Sequence, residues 1–206
     1  MKFPNKKFKN FYEFLGAYKD EASRMFNENH TIKLEKIANV LAKTYMSQKT
    51  LFVCGNGGSA AIAEHFVCDH QKLLATTKKF LPKVISLSSN LPLITAIAND
   101  TDYSNIFSDQ LKYNYKPGDM LFVISASGNS PNIVNALKFA KKKKLYSISL
   151  TGFSGGKAKK LSDINIHCKS FNYGIVEMMH HNYMNIIAQY LRQKVLSKSQ
   201  IEKIYF

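Results

Sequence analysis

The sequence predicts an α/β fold built on a five-stranded, parallel, doubly wound sheet. Three observations support this prediction: five short apolar runs, helical patterns between them, and a glycine turn directly after the first run. Such alternation is typical of parallel strands with helices on both faces of the sheet. With 206 residues, 45% of them hydrophobic, the chain is long enough to bury this core in one domain.

Two helices are predicted before the first strand. Apolar residues recur at helical spacing over residues 9–27 and 32–45. We therefore divide the chain into an N-terminal helical extension (1–48), a core domain (49–196) and a C-terminal tail (197–206). A helical pair of this kind covers either a partner subunit or the chain's own sheet.

The strands are predicted from apolar runs that end at turn residues. The five strands are 51–53, 83–87, 120–124, 145–150 and 164–168; the helices between them are 91–98, 104–113 and 132–142, and a long helix over 173–196 follows. In a sheet of flavodoxin-like order, the loops after the first and third strands meet at the switch point, where ligands bind.

Both of these loops have the composition of a phosphate site. Gly55-Asn56-Gly57-Gly58 ends the first strand, and Ser59 is predicted to cap the helix that follows. Glycines let the backbone approach a ligand, and the free N–H groups of a helix start favour an anion. The spacing fits neither GxGxxG nor the Walker pattern, so it does not indicate a nucleotide site. A tight turn without a ligand is the alternative.

A second hydroxyl-rich loop, Ser125-Ala126-Ser127-Gly128-Asn129-Ser130, follows the third strand, and Pro131 opens the next helix. Three serine hydroxyls and a helix start would hold a phosphate without any lysine. Because two such loops are expected at one crevice, the sequence predicts a small phosphorylated ligand.

Charge and cysteine content limit the partners. The formal net charge of +15 suits nucleic acid, an acidic partner or a phosphorylated substrate. The lysines are mostly scattered, and the dense run over 141–144 is expected at a helix end, where cations complement the dipole. A solvated lysine-rich surface is therefore favoured over a nucleic-acid site.

Cys54, Cys68 and Cys168 lack metal or redox spacing and are expected to be buried thiols.

No apolar run of about 18 residues and no secretory leader pattern occurs in the sequence. We therefore expect a cytoplasmic protein with no membrane partner.

The loop motifs also carry a family resemblance. CGNGGSAA and SASGNSPN, with AIAND over 96–100 and LTGFSGGK over 150–157, resemble the sugar isomerase (SIS) domain family, and more narrowly its bacterial phosphoheptose isomerases. The resemblance spans roughly residues 15–192. It implies a flavodoxin-like core and a homotetramer with active sites at subunit interfaces. The implied reaction interconverts sedoheptulose 7-phosphate and D-glycero-D-manno-heptose 7-phosphate, which supplies heptose for capsule or lipopolysaccharide.

The resemblance implies a set of substrate contacts, with the phosphate on the serine loop. The expected substrate-binding residues are Asn56, Gly57, Gly58, Ser59, Asn99, Asp100, Ser125, Ser127 and Ser130. The family also places a histidine and a glutamate on the helix after the glycine turn, and a glutamine and a histidine on the final helix. These can bind zinc, and the glutamate and the final histidine form the acid–base pair.

This sequence keeps only the first of those four residues. It has His65, but Asp69, Glu177 and Asn185 occupy the other positions. His65 and Asp69 are four residues apart and share a helix face, as do Glu177 and His181. His181 is therefore expected to replace the missing imidazole.

Aldose–ketose isomerisation needs a base beside a carbonyl and an acid at the neighbouring oxygen, through an enediol. We expect Asp69 or Glu177 to be the base. The acid is expected to be His181 or His180, which could instead be ordinary polar residues of a partly buried helix. A candidate zinc set consists of His65, Asp69, Glu177 and His181. The remaining histidines, His30, His70 and His167, are predicted to be structural.

Two other functions stay open. A catalytically altered SIS module could act by binding proteins or sugar phosphates, and a bacterial regulator of replication initiation of this kind also has asparagine at the position of Asn185. The second alternative is a domain that senses a sugar phosphate, although the sequence contains no DNA-binding module to accompany such a domain. His65, Asp69 and Glu177 favour the enzyme, because a protein-binding module has less need of titratable groups in a crevice.

Overall fold

A computed structural model describes residues 3–26, 29–75, 77 and 79–205. One sheet has the strand order β2-β1-β3-β4-β5, and every pairing is parallel. The strands are β1 (Thr50–Gly55), β2 (Lys83–Ser86), β3 (Met120–Ser125), β4 (Tyr146–Thr151) and β5 (Ile164–His167). This is the flavodoxin-like order, so the predicted fold class is confirmed.

Helices cover both faces of the sheet. Those in the described ranges are α1 (Phe11–Phe26), α2 (Thr31–Met46), α3 (Gly58–Cys68), α4 (Leu91–Asp100), α5 (Ile106–Asn114), α6 (Pro131–Lys143), α7 (Gly156–Leu161), α8 (Tyr173–Val195) and α9 (Lys198–Ile201). A π-helical turn over Asp69–Leu73 continues α3, and a 3₁₀ turn over Tyr103–Asn105 precedes α5. None of the described helices is both long enough and apolar enough to cross a membrane.

The sheet separates two apolar clusters because successive side chains of a strand point to opposite faces. In β1, Leu51 and Val53 face a cluster formed with α1, α2, α3 and α8. Phe52 and Cys54 face a second cluster formed with α4, α5, α6 and α7. Every residue of β1 and β3 is buried, which explains why both strands are apolar throughout.

Some details differ from the sequence-based expectations. The prediction that Ser59 caps α3 is wrong: Gly57 is the N-cap, and the Ser59 N–H already donates to the Asn56 carbonyl at 3.0 Å within the first turn. Cys54 and Cys168 are buried as expected, but Cys68 at the end of α3 is exposed.

Two helices were not predicted. The short α7 is rich in lysine and carries too few apolar residues for a helical pattern, and α9 forms within the predicted tail on a capping box between Ser197 and Gln200. Two predicted ends, the helix end at Asn27 and the last tail residue Phe206, lie outside the described residues.

Candidate active site

An amide pair ties the loop after β1 to the loop after β3. Asn56 Nδ2 donates to Asn132 Oδ1 at 3.0 Å, and Asn132 Nδ2 donates to Asn56 Oδ1 at 2.9 Å. Asn132 lies in the first turn of α6 and is fully buried. Because β1 and β3 are neighbours, the two loops meet at the switch point of the sheet, as the sequence predicted.

A cavity of about 250 Å³ opens between these loops and the start of α8. Its lining residues are Asn56, Gly57, Gly58, Ser59, Ser125, Ala126, Ser127, Ser130, Tyr173 and Glu177. Three helices, α3, α6 and α8, begin at this cavity. Since helix N-termini carry partial positive charge, the site favours an anion.

The serine loop presents hydroxyl groups to the cavity. Ser125 Oγ accepts from the Gly128 N–H at 3.1 Å, and Ser127 Oγ accepts from the Asn129 N–H at 3.3 Å. Each hydroxyl keeps its own O–H to donate. Ser130 is the N-cap of α6, but its side chain makes no cap hydrogen bond. The loop can therefore offer three O–H donors to a phosphate.

The loop after β4 supports the serine loop. Gly128 has a φ of +64°, and a Cβ there would collide with the Gly155 carbonyl oxygen, so only glycine fits. The Lys157 N–H donates to Asn129 Oδ1 at 3.0 Å, and the Ala158 N–H donates to the Gly128 carbonyl at 2.9 Å. The loop after β4 and the start of α7 thus hold the serine loop in place.

Helix α8 carries Glu177 to the glycine turn. A Cβ on Gly58 would lie 2.5 Å from either carboxylate oxygen of Glu177, so the glycine permits this close approach. The Glu177 side chain is half-buried and lines the cavity. It is the carboxylate best placed to act on a ligand there.

One turn along α8, His181 meets His65 of α3. His181 Nε2 lies 2.7 Å from His65 Nδ1, and the two rings meet edge to face at 72°. On the other side of its ring, His65 Nε2 lies 3.3 Å from Asp69 Oδ1. Asp69, His65 and His181 therefore lie in a row, joined by one ion-pair contact and one hydrogen bond.

One assignment of protons follows if His65 carries its proton on Nε2, beside Asp69. His65 Nδ1 then accepts from His181 Nε2–H, and His181 Nδ1 is left as a base. Burial and the neighbouring His65 lower the pKa of His181, and Asp69 only partly opposes them. His181 is therefore neutral near pH 7.

The four predicted zinc ligands do not converge on one point. The two ring nitrogens of His65 face different partners, His181 and Asp69. Throughout the described part of the chain, no group of three or more His, Cys, Asp or Glu side chains is arranged to hold a metal ion. As they stand, His65, Asp69 and His181 contact one another in a row and are not arranged to hold a metal ion.

The family model described as SIS domain matches residues 13–152, which include both loops of the cavity. This chain belongs to the SIS domain family. The predicted family resemblance is confirmed.

Several relatives of this SIS chain are named phosphoheptose isomerase. Phosphoheptose isomerase of Aliarcobacter butzleri is 38% identical over 156 residues, covering 76% of this chain and 82% of its own. The probable phosphoheptose isomerase of Thermoplasma acidophilum is 36% identical over 177 residues, covering 86% and 97%. The solved phosphoheptose isomerase of Neisseria gonorrhoeae superposes with a TM-score of 0.81 at 27% identity, covering 89% of this chain and 100% of that chain.

Six residues that the SIS resemblance or helix spacing assigned to the site do not line the cavity: His65, Asp69 and His181, described above, and His180, Asn99 and Asp100. His180 is fully buried, and burial lowers its pKa to about 4, although a hydrogen bond with the Thr151 backbone acts in the opposite direction. This placement argues against His180 as the acid. Asn99 and Asp100 are exposed at the end of α4, where Asn99 Nδ2 donates to Asp100 Oδ1 at 2.9 Å.

The structure adds three residues to this SIS site. Tyr173 lines the cavity, Asn132 holds Asn56, and Tyr103 Oη donates to Asn56 Oδ1 at 3.2 Å. The position of Asn132 directly after SASGNSP was a usable signal. No sequence signal marked Tyr103, because its contact depends on how α4 and α5 are joined.

The other histidines of this SIS chain have structural surroundings, in agreement with their assignment. His70 is fully buried and its Nδ1 lies 2.7 Å from Tyr45 Oη. His167 Nε2 lies 3.0 Å from the Phe153 carbonyl oxygen, and the ring of His30 packs edge to face on Tyr183.

Proposed function

We propose that this chain interconverts sedoheptulose 7-phosphate and D-glycero-D-manno-heptose 7-phosphate. The observation that carries the proposal is the cavity in which the glycine turn, the serine loop and Glu177 meet. Relatives matched over most of their own length are named phosphoheptose isomerase. The protein-binding alternative has less support, because it has no need of a carboxylate held against a glycine turn.

Substrate binding follows from the donors around the cavity. The hydroxyls of Ser125, Ser127 and Ser130, with the start of α6, bind the phosphate. The Asn56 side chain, held by Asn132, contacts the sugar. With the phosphate bound at one end, the carbonyl end of the sugar lies toward α8 and Glu177. The reacting carbon and oxygen atoms are then held close to the Glu177 carboxylate.

Glu177 transfers the carbon-bound proton. Starting from the ketose, its carboxylate removes a proton from C1, which gives an enediolate with the negative charge on O2. After the O1 proton has moved to O2, Glu177 returns its proton to C2, and the aldehyde forms at C1. Two hydrogens move and no oxidant or reductant is needed. Of the two predicted bases, Asp69 is the less suited, because it lies behind His65.

His181 moves the oxygen-bound proton between O1 and O2. Neutral near pH 7, its Nδ1 can accept a proton and release it again. The Asp69–His65 pair holds the tautomer of His181 and offsets the positive charge while His181 is protonated. Asp69 and His65 thus position the acid–base group rather than touch the substrate.

A homotetramer with cavities at subunit interfaces is part of the proposal. It is supported by apolar side chains that α2 and α8 leave exposed, including Ile32 at 80%, Ile186 at 45% and Tyr190 at 37% exposure. A groove of about 440 Å³ runs between these helices. Burial of such a face against another copy would stabilise an oligomer.

Three further expectations follow from the family and stay predictions. They are a cytoplasmic location, a role in heptose supply for capsule or lipopolysaccharide, and bound zinc. Metal analysis of the purified protein tests the last one: a stoichiometric metal that His65→Ala removes would require His65 to turn away from its present partners.

The decisive test is incubation of the purified protein with sedoheptulose 7-phosphate, with and without added zinc, while aldose formation is measured. Turnover that Glu177→Gln abolishes is expected. Light scattering on the same samples reports whether each variant keeps its oligomeric state. No turnover in either condition from an intact oligomer would favour the binding module instead.

A further inference from the structure

A large share of the positive charge lies in one segment of the chain. Residues 131–163, which span α6 to the start of β5, contain eight lysines and a single carboxylate, Asp163. This segment therefore contributes +7 of the formal +15. A local excess of this size creates a field that attracts anions.

Part of this charge surrounds a crevice of about 420 Å³ between the last turns of α6 and α7. Lys141, Lys144 and Lys160 line it, together with the half-buried Tyr146. The crevice lies at the amino ends of β4 and β5, whereas the serine loop lies at the carboxyl ends. Six residues of strand span about 20 Å, so the two sites are separate.

The lysines of the crevice are not neutralised within the described residues. Lys141, Lys144 and Lys160 form none of the ion pairs found there. Asp163 also lines the crevice, but its Oδ2 is already engaged there, because it accepts from the Ser147 N–H at 2.7 Å and from Ser147 Oγ at 2.9 Å. The C-termini of α6 and α7 each offset only about half a charge. Positive charge therefore remains in excess.

Lys144 also occupies a costly backbone position. It follows α6 in the left-handed region, with φ 57° and ψ 31°, where glycine or asparagine is the usual residue. A lysine in this conformation makes the folded protein less stable than a glycine would, because its Cβ approaches the following carbonyl oxygen. Such departures from local preference are expected where a side chain has a function.

We propose that this crevice, lined by Lys141, Lys144 and Lys160, binds a small anion that carries a diphosphate group. Three ammonium groups around one concavity suit several negative charges better than a single phosphate. The volume is also in the range of small-molecule sites. The proposal is independent of the isomerase reaction, because the crevice shares no residue with the cavity at the serine loop.

The test titrates inorganic pyrophosphate into the wild-type protein and into Lys144→Gly by calorimetry. Gln48→Gly is the matched control, because Gln48 has a φ of 55° after α2 but does not line the crevice. Both variants should raise the melting temperature by relieving the left-handed backbone. Only Lys144→Gly should weaken pyrophosphate binding, by fivefold or more.

A double variant separates the two anion sites. The wild type should bind two pyrophosphates per chain, one at the serine loop and one in the crevice, and Lys141→Gln/Lys160→Gln should bind one. Isomerase turnover of the double variant should equal that of the wild type. Unchanged stoichiometry and affinity in both crevice variants would overturn the proposal. A weakening in Gln48→Gly equal to that in Lys144→Gly would overturn it as well.

Discussion

His181 Nε2 lies 2.7 Å from His65 Nδ1, although 116 residues separate them in the chain. The family pattern has its second imidazole at position 185, where this chain has Asn185. One turn earlier on α8, His181 supplies an imidazole that His65 and Asp69 hold in one orientation. The acid–base role proposed for His181 would therefore compensate for this departure within the same helix.

Replacement of His181 tests this compensation. His181→Gln should lower kcat by about 10²- to 10⁴-fold with little change in KM, because it removes proton transfer and leaves phosphate binding intact. The double variant His181→Gln/Asn185→His should recover part of the loss. Steady-state kinetics with sedoheptulose 7-phosphate measures both effects. Full activity of His181→Gln would exclude His181 from the acid–base chemistry.

Gly58→Ala tests the placement of Glu177. The added methyl group would occupy the space of the carboxylate and displace it, so kcat/KM should fall by at least about tenfold. Gly16→Ala is the control, because its Cβ meets nothing within 4 Å in α1. That variant should raise the free energy of unfolding by about 0.5–1 kcal/mol and leave the kinetics unchanged. Equal kinetics of the two variants would contradict the role of Glu177.

Asn132→Ala tests the amide pair between the two loops. Loss of a fully buried partner should lower the free energy of unfolding by about 1–3 kcal/mol and raise KM, because Asn56 loses its support. Asn135→Ala is the comparison: Asn135 Nδ2 donates to the Ser104 carbonyl at 3.1 Å from the same helix. Urea unfolding and KM should separate the variants, since only Asn132→Ala alters both. An unchanged KM in Asn132→Ala would show that Asn56 needs no such support.

Two fully buried histidines set the acid limit of stability. Burial lowers the pKa of His70 to about 3 and that of His180 to about 4, from an ordinary value of about 6.5. Below pH 6.5 the unfolded chain binds protons that the folded chain excludes. The free energy of unfolding should then fall as pH drops toward about 4, by up to about 1.4 kcal/mol per pH unit for each histidine.

Urea titrations at about pH 7, 6 and 5 measure this slope. His180→Gln should make it shallower, because one of the two proton-binding groups is gone. A slope identical to that of the wild type would mean that His180 titrates normally in the folded protein.

The sheet and its two loops were predictable from local sequence. β1 and β3 are buried on both faces, so they are continuous apolar runs, and the loops after them carry glycines and serines whose chemistry is local. Helix spacing also placed Glu177 and His181 on one face of α8. What the spacing could not show is which helix that face meets.

The unpredicted contacts all depend on packing between distant segments. His65 and His181 meet because α3 and α8 lie side by side, and Tyr103 reaches Asn56 because of the turn between α4 and α5. His180 illustrates the same limit: one residue before His181, it is rotated about 100° around the helix and points into the core. Neighbours in the sequence thus have opposite environments.

The contact between Gly128 and Gly155 has a consequence for ligand binding. With the backbone of the serine loop against that of the loop after β4, the serine loop has no room to move toward its neighbour. A loop that is already held in one conformation loses little freedom when a ligand binds, and this lowers the entropic cost of binding.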